Sequence, residues 1–154
     1  MEINWRVLII SLIVVYLVGF TGSLFTSGSV NSEWYESIKP SITPPSFVFP
    51  IVWNILFFMI GLSLYFVWIN SNKKEKKKIL LVFGINFILN ILWSVFYFGM
   101  QNPLLAFYSI ILLIFSIASM IYVTNKINKL SSYFLVPYFL WVVFASVLNW
   151  MSFH

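Results

Sequence analysis

Hydrophobic side chains occur along this sequence in five long stretches, and polar residues are mostly confined to the segments between them. The stretches cover about residues 7–25, 47–69, 79–98, 104–123 and 133–153. Each is close to the roughly 20 residues that an α-helix needs to cross a hydrocarbon core about 30 Å thick. Lipid cannot satisfy bare backbone amides, and barrel strands would be shorter and would alternate polar with apolar residues. The pattern therefore predicts an all-α integral membrane protein, a single domain over residues 1–154 built as a bundle of five transmembrane helices.

The overall composition agrees with this class. The chain is 61% hydrophobic and 8% charged, and its mean hydropathy is +0.95. A water-soluble domain of this length cannot usually hide so much apolar surface, so a bilayer must bury it. The first stretch does not resemble a signal peptide, because the segment before it is not net basic and no Ala-x-Ala-like cleavage site follows. It is therefore predicted to be the first transmembrane helix.

Lysine and arginine are unevenly divided between the two ends of such a bundle. If the helices alternate in direction, eight of the nine basic residues share one side, and only Lys39 lies on the other. The eight are Arg6, Lys73, Lys74, Lys76, Lys77, Lys78, Lys126 and Lys129. The positive-inside rule then predicts a multi-pass protein of the cell membrane with its N-terminus in the cytoplasm. The net charge of +5 is therefore interpreted as a topology signal, and its basic residues as a contact site for anionic lipids. Nucleic-acid binding is not expected, because the basic block is short.

Several kinds of chemistry are not expected from these residues. The chain has no cysteine, its only histidine is His154, and no ionisable acid or base lies inside a predicted span. A metal site is therefore not expected, and neither is a general base, a thiol nucleophile or an ion-coupled pump. Any catalysis would have to use the reactivity of a bound ligand.

The first predicted loop, about residues 26–46, is long and rich in aromatic residues and proline. It contains Trp34, Tyr35 and the pair Pro44 and Pro45. Long loops in compact proteins are often functional lids, and prolines restrict the backbone. The loop is therefore predicted to be an ordered segment folded over one end of the bundle, although a purely structural loop could have a similar composition.

Polar and aromatic residues recur inside the spans at spacings of three and four, which places them on one face of each helix. The third span has Asn86, Asn90, Trp93, Ser94 and Tyr97, the fifth has Tyr138, Trp141, Ala145, Leu148 and Asn149, and the second opens with Trp53, Asn54 and Phe57. For Asn54, Asn86 and Asn149, hydrogen bonding between helices explains the pattern equally well. Indoles and one amide that converge inside a bundle suit a flat, largely apolar ligand. The candidates for such a site are Trp53, Asn90, Trp93 and Trp141.

Three sets of residues resemble the motifs of one membrane protein family. The first runs through Trp34-Tyr35, Lys39-Pro40, Pro44-Pro45, Phe47, Pro50 and Trp53. The second comprises Asn86, Asn90, Trp93, Ser94 and Phe96, and the third Pro137-Tyr138, Trp141, Ala145 and Leu148-Asn149. Over about residues 7–150 the chain is similar to the translocator protein family, also called tryptophan-rich sensory proteins or peripheral-type benzodiazepine receptors.

This resemblance implies a five-helix homodimer that binds tetrapyrroles such as protoporphyrin IX, isoquinoline carboxamides and benzodiazepines beneath the first loop. It also implies light-dependent oxidative breakdown of the porphyrin, or its transport, with the porphyrin as ligand or substrate and no other cofactor. A ligand sensor or regulatory interaction protein without catalysis is the alternative. The implied ligand-binding residues are Tyr35, Pro44, Trp53, Phe57, Asn90, Trp93, Phe96, Trp141, Ala145 and Leu148.

Two further expectations concern individual positions. Trp53 and Trp141 are the candidate catalytic residues, because indole is the most readily oxidised group in the implied pocket. Animal members of the family carry a cholesterol-recognition pattern at the end of the fifth helix, with a tyrosine and a downstream arginine. Here residues 149–154 contain neither, so cholesterol is not expected as a partner.

Overall fold

The computed structural model describes residues 3–154, and that part of the chain is helical, with no β-strand. The helices are α1 (Trp5–Thr26), α2 (Glu33–Ile38), α3 (Val48–Ile69), α4 (Lys73–Ser94), α5 (Pro103–Ile127) and α6 (Lys129–Met151). A π-helical turn, Val95–Gly99, continues α4. All of the helices except the short α2 are long and apolar enough to cross a membrane. The predicted all-α fold with five spanning helices is confirmed.

The five spanning helices form a closed ring in the order α1, α3, α6, α5, α4, since each packs mainly on its two neighbours in that order. Glycine at position 19 lets α1 pack closely on α3. A Cβ atom added there would overlap the side-chain ring of Phe57, so a larger residue would require that ring to move. The ring of helices encloses an interior that is separate from the lipid-facing surface.

The two ends of the ring are built differently. The basic end carries the connection between α3 and α4, residues 70–72, and the five lysines at the start of α4. The loop end carries the first loop, residues 27–47. Fully buried side chains from α3, α4, α5 and α6 fill the half of the ring toward the basic end; they include Val67, Ile79, Ile117, Met120 and Leu135. The interior of the loop end is left partly empty.

Three helices, α4, α5 and α6, extend beyond the stretches that hydrophobicity predicted. Helix α4 begins at Lys73, well before residue 79, because Asn72 accepts hydrogen bonds from the N–H groups of Lys74 and Glu75 while the Glu75 carboxylate accepts one from the N–H of Asn72. The polar connector predicted at 124–132 shrinks to Asn128, whose side chain caps the N-terminus of α6. An apolar run marks only the part of a helix that lies in hydrocarbon, so it underestimates the lengths of these three helices.

Candidate functional site

A cavity of about 910 Å³ occupies the loop end of the ring. Residues of α1, α3, α4 and α6 form its walls, and the first loop covers it. It is lined by eight of the ten residues that the sequence predicted to bind ligand: Tyr35, Pro44, Trp53, Phe57, Asn90, Trp93, Ala145 and Leu148. Residues that lie far apart in the sequence therefore meet around one space.

The other two predicted residues lie outside the lining of the cavity. Phe96 packs with the aromatic residues that hold α2. Trp141 lies beside Phe49, with ring centroids 5.9 Å apart, and lines a shallow apolar groove between α3 and α6 instead. Its Nε1 is buried without a hydrogen-bond partner in the described part of the chain. Phe49 does line the cavity, so Trp141 contacts a lining residue without lining the cavity itself.

A chain of buried hydrogen bonds, here called the floor network, meets the cavity at Asn90. The hydroxyl of Tyr138, a fully buried residue, donates to Oδ1 of Asn86 at 3.2 Å and accepts from Nδ2 of Asn90 at 3.0 Å. Asn86 Nδ2 in turn donates to Ser116 Oγ at 2.8 Å. These bonds join α4, α5 and α6, as expected for polar groups inside a membrane bundle. Asn86 is therefore a structural residue, while Asn90 both joins the floor network and faces the cavity.

Hydrogen bonds also fix one aromatic wall. Trp93 Nε1 donates to Oδ1 of Asn149 at 3.0 Å, and Asn149 Nδ2 donates to the carbonyl of Pro103 at 2.8 Å. On the opposite wall Trp53 stacks on Phe57, with centroids 5.3 Å apart, and meets Tyr138 edge-on. The indole planes are held by the bundle before any ligand arrives, which reduces the ordering cost of binding.

The π-helical turn holds the first loop against the bundle. Its wider turn buries two consecutive residues, Tyr97 and Phe98. Trp34 meets Tyr97 at 5.8 Å between centroids, and Tyr35 meets Phe98 at 5.6 Å. Burial, with smaller effects of Tyr97 and Glu36, raises the pKa of Tyr35 to about 12. The Tyr35 hydroxyl therefore stays neutral at physiological pH.

Sequence reasoning missed several polar residues of the loop that line the cavity. Lys39 Nζ contacts both carboxylate oxygens of Glu36 at 2.8 Å, and Thr43 Oγ1 is buried with no hydrogen-bond partner in the described residues. All three residues line the cavity. The spacing of Glu36 and Lys39, one helical turn apart, was a signal for the ion pair, but nothing in the sequence showed that the pair faces the interior.

The chemistry available in this site is narrow. Within residues 3–154 no group of histidine, cysteine or acidic side chains could hold a metal ion. The lining combines aromatic rings with a few amide and hydroxyl groups and one ion pair. Such a surface fits a flat, mostly apolar molecule with a small number of polar points.

Comparisons with known proteins agree with the fold and the motifs. The model of the TspO/MBR family matches residues 10–154. The chain is 39% identical over 147 residues to the tryptophan-rich protein TspO of Archaeoglobus fulgidus, which covers 92% of each chain. It is 41% identical over 133 residues to the protein of the same name in Chlorobaculum tepidum, with 86% of this chain and 84% of the other covered. The human translocator protein is 28% identical over 134 residues, 85% of this chain and 79% of its own. The chain thus belongs to the TspO/MBR family of multi-pass membrane proteins.

Proposed function

We propose that this protein is a membrane receptor that binds tetrapyrroles, with protoporphyrin IX as the model ligand, in the cavity at the loop end. Isoquinoline carboxamide and benzodiazepine-type ligands would occupy the same space. The observation that carries the proposal is the cavity of about 910 Å³ between two fixed indole walls. Its size falls within the roughly 300–1,000 Å³ typical of sites for small molecules.

The arrangement in the cell belongs to the same proposal. The basic end faces the cytoplasm of the cell membrane, because it carries eight of the nine basic residues. The cavity then opens toward the opposite face. Two copies form a homodimer, as the resemblance to the translocator protein family implies.

Light-dependent oxidative breakdown of the bound porphyrin is a second candidate function, which one observation favours. Trp53 is an oxidisable indole in the cavity wall. An excited porphyrin supplies the reactive oxygen, so the protein needs to provide only position and an oxidisable group. Trp53 would be the contacting residue, and Trp141, which contacts the lining residue Phe49 but does not line the cavity, would act less directly.

A titration of the purified protein in detergent tests the binding function. Protoporphyrin IX should quench tryptophan fluorescence and saturate at one site per chain, and an isoquinoline carboxamide should displace it competitively because both need the same cavity. Quenching that rises linearly without saturation, or that the second ligand does not reverse, would contradict a shared site. Illumination of the complex, with product analysis, then separates binding alone from breakdown.

A further inference from the structure

One ion pair is the only charged feature of the cavity lining within the described residues 3–154. Lys39 is the only cation in the lining and Glu36 the only anion. Both carboxylate oxygens lie 2.8 Å from the Lys39 ammonium, so the cation is neutralised from within the first loop. Glu33, one turn earlier in α2, is exposed and does not line the cavity.

The contact between Glu36 and Lys39 is weak enough to be replaced by another. The side chains are 34% exposed for Lys39 and 54% exposed for Glu36, and partly exposed pairs of this kind contribute little to stability. The Lys39 backbone does not depend on Glu36, because its N–H donates to the carbonyl of Tyr35 at 2.9 Å. Loss of the Glu36 contact would therefore leave Lys39 in place at the cavity, while Glu36 would gain full hydration.

We propose that Glu36 occupies the position of a ligand carboxylate. A flat ligand that carries a carboxylate takes over the contact with Lys39 as it enters the cavity, and Glu36 moves to solvent. This inference rests on the proposed function, and within that ligand class it distinguishes planar apolar acids, which make the exchange, from neutral ligands, which do not. Esters of the same ring system bind without the exchange and leave the Glu36–Lys39 pair intact.

The exchange makes Glu36 an internal competitor of the ligand. An acidic ligand gains the Lys39 contact but must first break the contact with Glu36, so the net gain is smaller than that of a free lysine. Glu36 therefore tunes the preference for acids over esters. Removal of Glu36 should strengthen that preference, and removal of Lys39 should abolish it.

The test compares protoporphyrin IX with its dimethyl ester, which has the same ring but no free carboxylate, in neutral detergent. The readout is the ratio of the two dissociation constants in the wild-type protein and in Glu36→Gln, Lys39→Gln, the double variant and Glu33→Gln. In Glu36→Gln the ratio should shift about two- to fivefold toward the acid, the range expected for a partly exposed ion pair. Lys39→Gln should shift the ratio toward the ester, and in the double variant Glu36→Gln should add nothing.

Glu33→Gln is the matched control, because it removes the same charge from the same helix without touching Lys39. The exchange would be overturned if the ratio of dissociation constants shifted equally in Glu36→Gln and Glu33→Gln. It would also be overturned if the ratio in the double variant differed from that in Lys39→Gln. Either result would point to a general electrostatic effect of the negative charges. An unchanged ratio in Glu36→Gln would overturn the exchange as well. If the ester binds the wild-type protein normally in these cases, the proposed function survives; if neither form binds, the proposed function itself fails.

Discussion

Trp53 and Trp141 have the same type of side chain but different surroundings. Trp53 lines the cavity, stacked on Phe57, whereas Trp141 contacts Phe49 and has an unpaired Nε1 in the described part of the chain. Both were equal candidates in the sequence, since each belongs to a motif of the same kind. They differ in their surroundings, because Trp141 lines the groove between α3 and α6 and does not line the cavity.

These surroundings give different expectations for the phenylalanine variants. Phenylalanine keeps most of the stacking surface, so porphyrin binding should weaken by no more than about 1 kcal/mol in either variant. Light-driven loss of the porphyrin should slow strongly in Trp53→Phe and less in Trp141→Phe, as followed by absorbance under illumination. If both variants lost the porphyrin under light at the wild-type rate, the two indoles would serve only in packing. The protein would then be assigned to binding or sensing alone.

The Tyr138 hydroxyl has a structural task that can be measured separately. Tyr138→Phe removes two hydrogen bonds, to Asn86 and Asn90, and such bonds between transmembrane helices are typically worth about 0.6 kcal/mol each. The variant should therefore unfold at a lower temperature in detergent. Tyr133→Phe is the control, because Tyr133 lies on the same helix but is exposed on the outer surface of the bundle. Equal melting temperatures of the two variants would show that the floor network does not stabilise the bundle.

At the scale of helices and loops, the five spans could be predicted because an apolar run of about 20 residues is long enough to cross a bilayer and too long for an ordinary core helix. The helix α2 and the π-helical turn at Val95–Gly99 could not. Six residues with mixed polarity do not carry a helical pattern of their own, and the turn lies inside an apolar run that a regular helix would continue. Both features depend on the contact between them, where Trp34 and Tyr35 pack on Tyr97 and Phe98.

The first loop should control how fast a ligand leaves. Pro44 and Pro45 restrict the segment that runs from α2 to α3, so replacing both with glycine should loosen the cover and raise the porphyrin dissociation rate. Stopped-flow displacement measures that rate. The matched control replaces Asn70 and Ser71 with glycine in the connection at the basic end, which does not touch the cavity. Equal rates in both double variants and the wild type would leave the first loop as a simple connector.

At the scale of the whole molecule, the asymmetry of basic residues predicts the orientation in the membrane. A cysteine introduced at Lys76, at the basic end, should react with an impermeant thiol reagent only after the cells are permeabilised. A cysteine at Ser41 in the first loop should react in intact cells. The chain has no cysteine of its own, so the labelling is specific. Labelling of the Lys76→Cys variant in intact cells would reverse the orientation.

The closed ring explains why the site was only partly predictable from the sequence. Helical spacing placed Asn86, Asn90 and Trp93 on one face, and that face does point inward. Which of them faces empty space depends on the side chains of other helices at the same depth. Asn86 lies where the interior is filled by side chains, so it only makes hydrogen bonds between helices. Asn90 lies where the filled interior meets the cavity, so it also lines the cavity.

Whether the cavity at the loop end is the ligand site is tested most directly by blocking that cavity. Ala145→Phe places a large ring in the cavity wall, and Ala118→Phe adds the same ring to the exposed outer surface of α5. Overpacking costs about 1–3 kcal/mol, so the dissociation constant of protoporphyrin IX should rise about tenfold or more in Ala145→Phe and stay at the wild-type value in Ala118→Phe. Equal affinity in both variants, each shown by thermal melting to be folded, would place the ligand elsewhere on the protein.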